Sequence, residues 1–196
     1  NQLQNGATLV VGAGDSGVQI LNEVSKTNRT VYFSGNTKIM SIPQEILGKT
    51  LWWWFHKVGF LTANKYSWIG KKLSESGQPV IGTDVKALFK NKNITCVGRT
   101  LNANDKTIIF EKQKTTDIKN IIWATGFKPN FNWIDNIELD ESHYPKNYRG
   151  VSDIEGLYFL GLPWLYTRGS ATLGGVKKDA DYLNTYLSKK EKDSHK

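Results

Sequence analysis

Residues 10–20, VVGAGDSGVQI, decide the fold that this sequence predicts. Gly12, Gly14 and Gly17 have the spacing Gly-x-Gly-x-x-Gly. In this motif the first glycine allows a tight turn, the second lets the backbone approach a pyrophosphate, and the third lets a helix pack closely on a strand. Residues 7–11 form the short apolar run of a buried parallel strand, and apolar residues recur at helical spacing after the glycines. The stretch therefore predicts a strand, a phosphate-binding turn and a helix.

The same stretch also contains Gly-Asp-Ser-Gly at residues 14–17, the tetrapeptide around the nucleophilic serine of trypsin-like proteases. A trypsin-like triad needs a histidine and an aspartate earlier in the chain than the serine. No histidine precedes Ser16, and Gly17 follows it directly, which also breaks the Gly-x-Ser-x-Gly elbow. Nucleotide binding is therefore favoured over serine catalysis.

The composition sets further bounds. A chain of 196 residues with 39% hydrophobic content suits a well-packed globule, and no apolar run approaches the roughly 20 residues of a membrane span. The single Cys96 excludes an internal disulfide, so we expect a cytoplasmic protein. Three widely spaced histidines predict no metal site. The net charge of +8 suggests nucleic-acid binding as a hypothesis. The lysines, however, are scattered or mixed with acids, so we expect no nucleic-acid partner.

The segment after the second predicted strand bears on the choice between NAD and NADP. An NAD-specific domain places an Asp or Glu there to hold the ribose 2′-hydroxyl. Residues 34–38, SGNTK, contain no carboxylate. Ser34 and Lys38 are therefore candidates to contact a 2′-phosphate, which favours NADP, although Lys38 is equally well an ordinary exposed loop lysine.

The remaining chain predicts alternating strands and helices, and hence a doubly wound α/β fold. Residues 94–97 and 107–110 predict a strand pair around a polar turn, and residues 157–161 predict one more apolar strand before a C-terminal helix. Four consecutive aromatic residues at 52–55 predict core packing, with a substrate-lining or interdomain role as the alternative.

Three stretches, VVGAGDSGVQI, IIWATGFKPNFNWI and GLYFLGLPWLYTRGSATLGGVKKDADYL, together resemble the flavin-containing monooxygenase-like oxidoreductases, and in particular their CzcO-like branch. The resemblance implies FAD in one Rossmann-like domain and NADPH in a second domain inserted into it. It also implies that the fingerprint at residues 12–17 is the NADPH type and that the FAD fingerprint lies upstream of this chain. We therefore expect a Rossmann-like NADP-binding domain at residues 1–125 and the C-terminal part of an FAD-binding domain at residues 126–196.

The resemblance also implies site residues. The family's NADPH pyrophosphate turn is matched at Gly12, Gly14, Asp15, Ser16 and Gly17. Its Ala-Thr-Gly motif, where the chain crosses between domains near both cofactors, is matched at Thr125 and Gly126. The segment that closes over the flavin is matched at Gly161, Arg168, Gly169 and Ser170. One departure is Gly35, near which the family usually carries an arginine for the 2′-phosphate; this leaves the phosphate to Ser34 and Lys38.

The function implied is hydride transfer from NADPH to FAD by a flavin- and NADPH-dependent oxidoreductase of the monooxygenase type. No residue of this chain stands out as a catalytic acid or base, and the substrate is left open. The alternative is a non-catalytic dinucleotide-binding module, or a truncated and inactive fragment.

The absence of a second fingerprint from this sequence generates a first prediction. Without that helix N-terminus and its backbone donors, nothing offsets the charge of the FAD phosphates. We expect the isolated chain to purify colourless and to show no NADPH oxidation above background. Uncovered apolar surface favours self-association or partial disorder near the C-terminal half. An absorption spectrum and an NADPH-oxidation assay check this, and stoichiometric FAD in the purified chain would contradict it.

Overall fold

The structure is a computed structural model that describes residues 2–75, 79–105, 107–115 and 118–194. The chain divides into two compact units, the first formed by Asn1–Leu51 and Gln78–Phe127 and the second by Trp52–Gly77 and Lys128–Lys196. In chain order the elements are β1 Ala7–Val11, α1 Asp15–Ser25, β2 Val31–Ser34, β3 Ser41–Ile42, β4 Glu45–Ile46, β5 Lys49–Thr50, α2 Leu51–Lys57, a 3₁₀ helix Phe60–Thr62, α3 Trp68–Glu75, β6 Val80–Ile81, α4 Val85–Leu88, β7 Ile94–Gly98, β8 Thr100–Asn104, β9 Thr107–Phe110, β10 Lys114–Thr115, β11 Ile118–Trp123 and α5 Lys177–Ser194.

A four-stranded parallel sheet of order β11-β1-β2-β7 forms the centre of the first unit. All five residues of β1 are buried, as expected for an inner strand covered on both faces. In the register, Val11 at the end of β1 lies beside Ser34 of β2 and Trp123 of β11, so the three strands end together. The predicted Rossmann-like α/β fold is confirmed.

Two apolar clusters cover the faces of this sheet. On one side Val18 and Leu21 of α1 pack with Val10 and Phe33, and the Phe33 ring lies 5.2 Å from that of Phe89. The other cluster joins β1 and β7 to β9 through Leu9, Val11, Val97, Ile108 and Phe110. The strand alternation of β1 thus sends Val10 to one core and its two neighbours to the other.

The predicted strand pair of residues 94–97 and 107–110 is wrong. β7 instead pairs with β2 in the parallel sheet, and β9 lies between β8 and β10 in a separate antiparallel sheet of order β10-β9-β8. Gly98, the last residue of β7, has φ of +77°, and Arg99 separates it from β8. The alternating pattern predicts that each segment is a strand. It does not predict the partner, because pairing in either sheet buries one face of such a strand.

The second unit contains α3, the 3₁₀ helix, α5 and most of α2, with a long irregular segment between residues 128 and 176. Residues 157–161, predicted as a strand, form no regular strand: Tyr158 makes an isolated bridge with Val151, and Phe159 N–H donates to the Gly150 carbonyl. Phe159, Leu165 and Leu183 of α5 are buried in this unit.

Aromatic contacts organise the rest of the second unit. The Arg149 guanidinium lies 3.7 Å from the centre of the Tyr166 ring and 4.0 Å from that of Tyr182. Within the aromatic run at 52–55, Phe55 stacks on Phe60 with ring centres 4.4 Å apart, whereas Trp52 is half exposed. Core packing therefore accounts for only part of this run. Among the described residues, no helix is long and apolar enough to cross a membrane.

Candidate dinucleotide-binding site

Two glycines close the turn between β1 and α1. Gly12 has φ of +121°, donates its N–H to the Ser34 carbonyl at 2.9 Å, and would place a Cβ 2.1 Å from the Ala124 carbonyl oxygen. At Gly17, the third residue of α1, a Cβ would lie 2.1 Å from the Gly12 carbonyl oxygen. Any side chain at either position would overlap backbone, so the fold itself requires both glycines.

Gly14 differs from the other two glycines. It is the N-cap residue of α1, with φ of −78° and ψ of −178°, a backbone conformation open to any residue. A Cβ there would meet no atom within 4 Å. No side chain caps the helix at this point, so the N–H groups of its first turn are not taken by a cap. The protein leaves open space above Gly14 where the positive end of the α1 dipole points.

That open space belongs to a cleft that we call the turn cleft, with a volume of about 490 Å³. Its lining combines the turn with the end of β11 and the residues that follow it: Gly12, Ala13, Gly14, Asp15, Ser16, Ile20, Trp123, Ala124, Thr125, Gly126 and Phe127. Six of the residues predicted for the pyrophosphate turn and the Ala-Thr-Gly motif are therefore brought together, while Gly17 is buried behind them.

Asp15 is the acidic residue in the first turn of α1. Its Oδ1 accepts a hydrogen bond from the backbone N–H of Ile81 at 3.4 Å, which turns the carboxylate toward β6. The negative charge at this position is favourable for the helix dipole. A phosphate in the turn cleft would consequently be held by backbone N–H groups and not by the Asp15 side chain.

A second cleft, the sheet-end cleft, has a volume of about 530 Å³. It is lined by the ends of β1, β2 and β11 and by the start of β8: Val11, Gly12, Ser34, Gly35, Arg99, Thr100, Leu101, Asn102, Ala103, Trp123 and Thr125. Gly12, Trp123 and Thr125 line both clefts. The two clefts therefore meet over the carboxyl end of β1, where doubly wound sheets bind their ligands.

Ser34 lines the sheet-end cleft, but its hydroxyl is occupied. The residue is 2% exposed, its Oγ lies 2.8 Å from the Thr100 Oγ1, and it accepts the Thr100 backbone N–H at 2.9 Å. Ser34 thus fixes the start of β8 against the end of β2. Lys38 is exposed in the loop after β2, and it is not among the described residues that line either cleft.

Arg99 is the residue that sequence reasoning missed. Among the described residues that line the sheet-end cleft it carries the only charged side chain, and no acid is present there. Its backbone N–H donates to the Glu111 carboxylate at 2.9 Å, and the neighbouring Gly98 pairs in register with Ser34. The sequence signal was a Gly-Arg pair directly after a strand, but it points to this cleft only once β7 is known to neighbour β2.

The C-terminal residues implied by the resemblance lie in the second unit. Gly161 has φ of +78° and open space around its Cα. The Arg168 guanidinium lies 4.6 Å from the Phe60 ring centre and 5.9 Å from that of Trp164, and burial lowers the pKa of Arg168 below its usual value. Arg168 is therefore a partly desolvated cation held over aromatic faces.

Gly169 and Ser170 have structural contacts in the same segment. A Cβ at Gly169 would lie 2.9 Å from the Leu61 carbonyl oxygen. The fully buried Ser170 hydroxyl accepts the backbone N–H groups of Tyr166 and Thr167 at 3.1 and 2.9 Å. The Ser170 contacts fold the segment back on itself, and the Gly169 contact places it against the 3₁₀ helix. Both residues therefore have structural roles.

Comparison with known proteins relates this chain to one group of oxidoreductases, although no protein-family model matches it. It is 44% identical over 185 residues to the "Uncharacterized oxidoreductase CzcO-like" of Geobacillus kaustophilus strain HTA426, covering 93% of this chain and 53% of that protein. It is also 44% identical over 184 residues to the "Uncharacterized oxidoreductase CzcO" of Bacillus subtilis strain 168, with the same coverage. The chain thus spans about half the length of the curated relatives it matches.

A solved structure shares the fold. A mutant of the flavin monooxygenase from Stenotrophomonas maltophilia superposes with a TM-score of 0.60 and 15% sequence identity, covering 95% of this chain and 51% of that one. The curated relatives confirm the resemblance to the CzcO-like oxidoreductases, and this solved structure shows a similar fold.

The contrast between Gly17 and Gly14 generates a prediction about stability. Replacing Gly17 with serine forces a Cβ onto the Gly12 carbonyl oxygen and should lower the free energy of unfolding by about 1–3 kcal/mol or more. Gly14→Ser is the matched control, since serine is a preferred N-cap residue and has space there; its effect should stay within about 0.5 kcal/mol. Urea unfolding of both variants measures this, and equal losses would contradict it.

Proposed function

We propose that this chain, which is similar to the CzcO-like oxidoreductases, binds NADP(H) and supplies the NADP(H)-binding part of a flavin-dependent oxidoreductase. The observation that carries the proposal is the open space above Gly14. The fold needs glycine at positions 12 and 17 but has no steric need for it at position 14. A ligand that lies against the backbone at Gly14 explains why this position is a glycine. The group that binds at a turn of this kind, at the N-terminus of a helix, is a pyrophosphate.

The order of the sheet gives the direction in which the dinucleotide lies. With the pyrophosphate over the turn, the adenosine half extends into the sheet-end cleft, toward Ser34 and Gly35 at the end of β2. The nicotinamide half extends the other way, along the turn cleft toward Thr125 and Gly126 after β11. Both directions are open because the strands end together.

Arg99 is our candidate for the contact with the 2′-phosphate. It lines the cleft into which the adenosine ribose extends, and no carboxylate of that lining repels a phosphate or holds a 2′-hydroxyl. An arginine binds phosphate oxygens with two N–H groups at once. Ser34 acts indirectly, because its hydroxyl positions Thr100 next to Arg99.

Bound together, NADP(H) and a flavin would supply the chemistry of hydride transfer. This chain contributes binding and orientation. The backbone N–H groups of α1 hold the pyrophosphate, and the shared wall of the two clefts fixes where the nicotinamide half leaves the turn. Arg168, a cation held over Phe60 and Trp164 in the second unit, is proposed to face the flavin as the resemblance implies.

The cofactor preference follows from Arg99. We expect calorimetric titration to show tighter binding of NADP(H) than of NAD(H). Arg99→Gln should weaken NADP(H) binding by about 10- to 100-fold, the worth of a charge-assisted hydrogen bond, and leave NAD(H) binding unchanged. Lys38→Gln removes one exposed charge outside the clefts and serves as the matched control, with little effect on either nucleotide. Equal affinities of the unchanged chain for the two nucleotides would remove the case for 2′-phosphate recognition.

The pyrophosphate contact is tested separately at Gly14. Gly14→Val places a branched side chain in the space reserved for the phosphates and should weaken NADP(H) and NAD(H) alike by at least about 10-fold. Gly174→Val is the control, because Gly174 is likewise without any atom within 4 Å of its Cβ position but lies in the second unit. Unchanged affinity in Gly14→Val would count against the fingerprint itself.

A further inference from the structure

We infer that the indole of Trp123 is the surface on which the nicotinamide ring of the bound dinucleotide stacks, an inference that rests on the proposed function. Trp123 is the last residue of β11 and pairs in register with Val11, the last residue of β1. The residue is 64% exposed, although the two strands are paired right up to this position. A large aromatic ring is therefore held on a rigid strand end and presented to solvent.

The position of Trp123 between the clefts gives the ring its role. Three residues line both clefts, and the other two, Gly12 and Thr125, are small. Trp123 is thus the aromatic wall past which any ligand that occupies both clefts must run. A dinucleotide is such a ligand, because its pyrophosphate lies over Gly12 and its two halves diverge from there.

The sheet order indicates which half of the dinucleotide meets the indole. β11 and β2 flank β1 on opposite sides. The adenosine half is directed to the side of β2 and Arg99, so the half directed to the side of β11 carries the nicotinamide. Ring stacking on Trp123 is therefore expected for the nicotinamide and not for the adenine.

The chemistry of the nicotinamide ring adds a distinction between its two redox states. The oxidised ring carries a positive charge, and an indole face attracts cations more strongly than other aromatic side chains do. The reduced ring is neutral and gains only the stacking contact. Trp123 should therefore favour NADP⁺ over NADPH.

The experiment measures three ligands on the full chain by calorimetry: NADP⁺, NADPH and adenosine 2′,5′-bisphosphate, which carries both terminal phosphate groups of the adenosine half but has no nicotinamide. Trp123→Leu should weaken NADP⁺ binding by about 10-fold, the usual worth of one stacked ring, and NADPH binding by less. Binding of the bisphosphate should stay within about twofold. Trp123→Phe, which keeps an aromatic face, should recover most of the loss.

A fluorescence measurement provides a second readout that does not depend on the leucine variant folding. NADP⁺ should quench the tryptophan emission of the unchanged chain, and Trp123→Phe should remove most of that quenching. Trp133→Phe is the matched control, because Trp133 is 76% exposed and lies in the second unit. It should leave both the quenching and the affinities unchanged.

The outcomes separate this inference from the proposed function. If the unchanged chain binds NADP(H) but Trp123→Leu binds it equally well, the stacking inference is wrong and the proposed function stands. Equal losses for NADP⁺ and the bisphosphate would also overturn it, since Trp123 would then only shape the cleft. If the unchanged chain binds neither the bisphosphate nor NADP(H), the proposed function is wrong, and the inference is wrong with it.

Discussion

The close approach of α1 to the ends of β1 and β11 is the constraint on which the rest of the first unit depends. Carbonyl oxygens occupy the places where side chains would stand at Gly12 and Gly17, and a Cβ at either residue would come within 2.1 Å of one. Because the helix can enter this closely, its first turn points over the edge of the sheet. That packing is what places the N–H groups of the first turn where we propose that the pyrophosphate binds.

The parallel register then determines which other residues meet the turn. Parallel strands end at one edge, so residues far apart in sequence are gathered there: Ser34 from β2, Gly98 from the end of β7 with Arg99 after it, and Trp123 from β11. One edge of the sheet thus supplies a helix N-terminus, a cation and an aromatic ring. This combination matches the phosphates and rings of a dinucleotide.

Buried polar contacts decide which of these groups remain available for a ligand. Ser34 looks like a ligand-binding hydroxyl in the sequence, but in the fold it is paired with Thr100 and holds β8 in place. Asp15 likewise directs its carboxylate to the Ile81 N–H. Arg99, by contrast, has its backbone N–H and carbonyl bonded to Glu111, while its side chain is exposed in the cleft. We therefore propose Arg99, which lies between β7 and β8, for the 2′-phosphate contact that the sequence assigned to Ser34 and Lys38.

The sequence by itself determined the turn at Gly12–Gly17, the strand before it and the helix after it, because these depend on local spacing and on the steric freedom of glycine. Its motifs also carried the resemblance to the CzcO-like oxidoreductases. Only the tertiary structure decided that β7 pairs with β2, that residues 157–161 form no regular strand, and that Trp52–Gly77 groups with the C-terminal part of the chain. Strand order and register are set by which apolar faces meet, and an alternating pattern is compatible with several partners. For the same reason Arg99 and Trp123 could be assigned to one site only after the strands that carry them had been placed side by side.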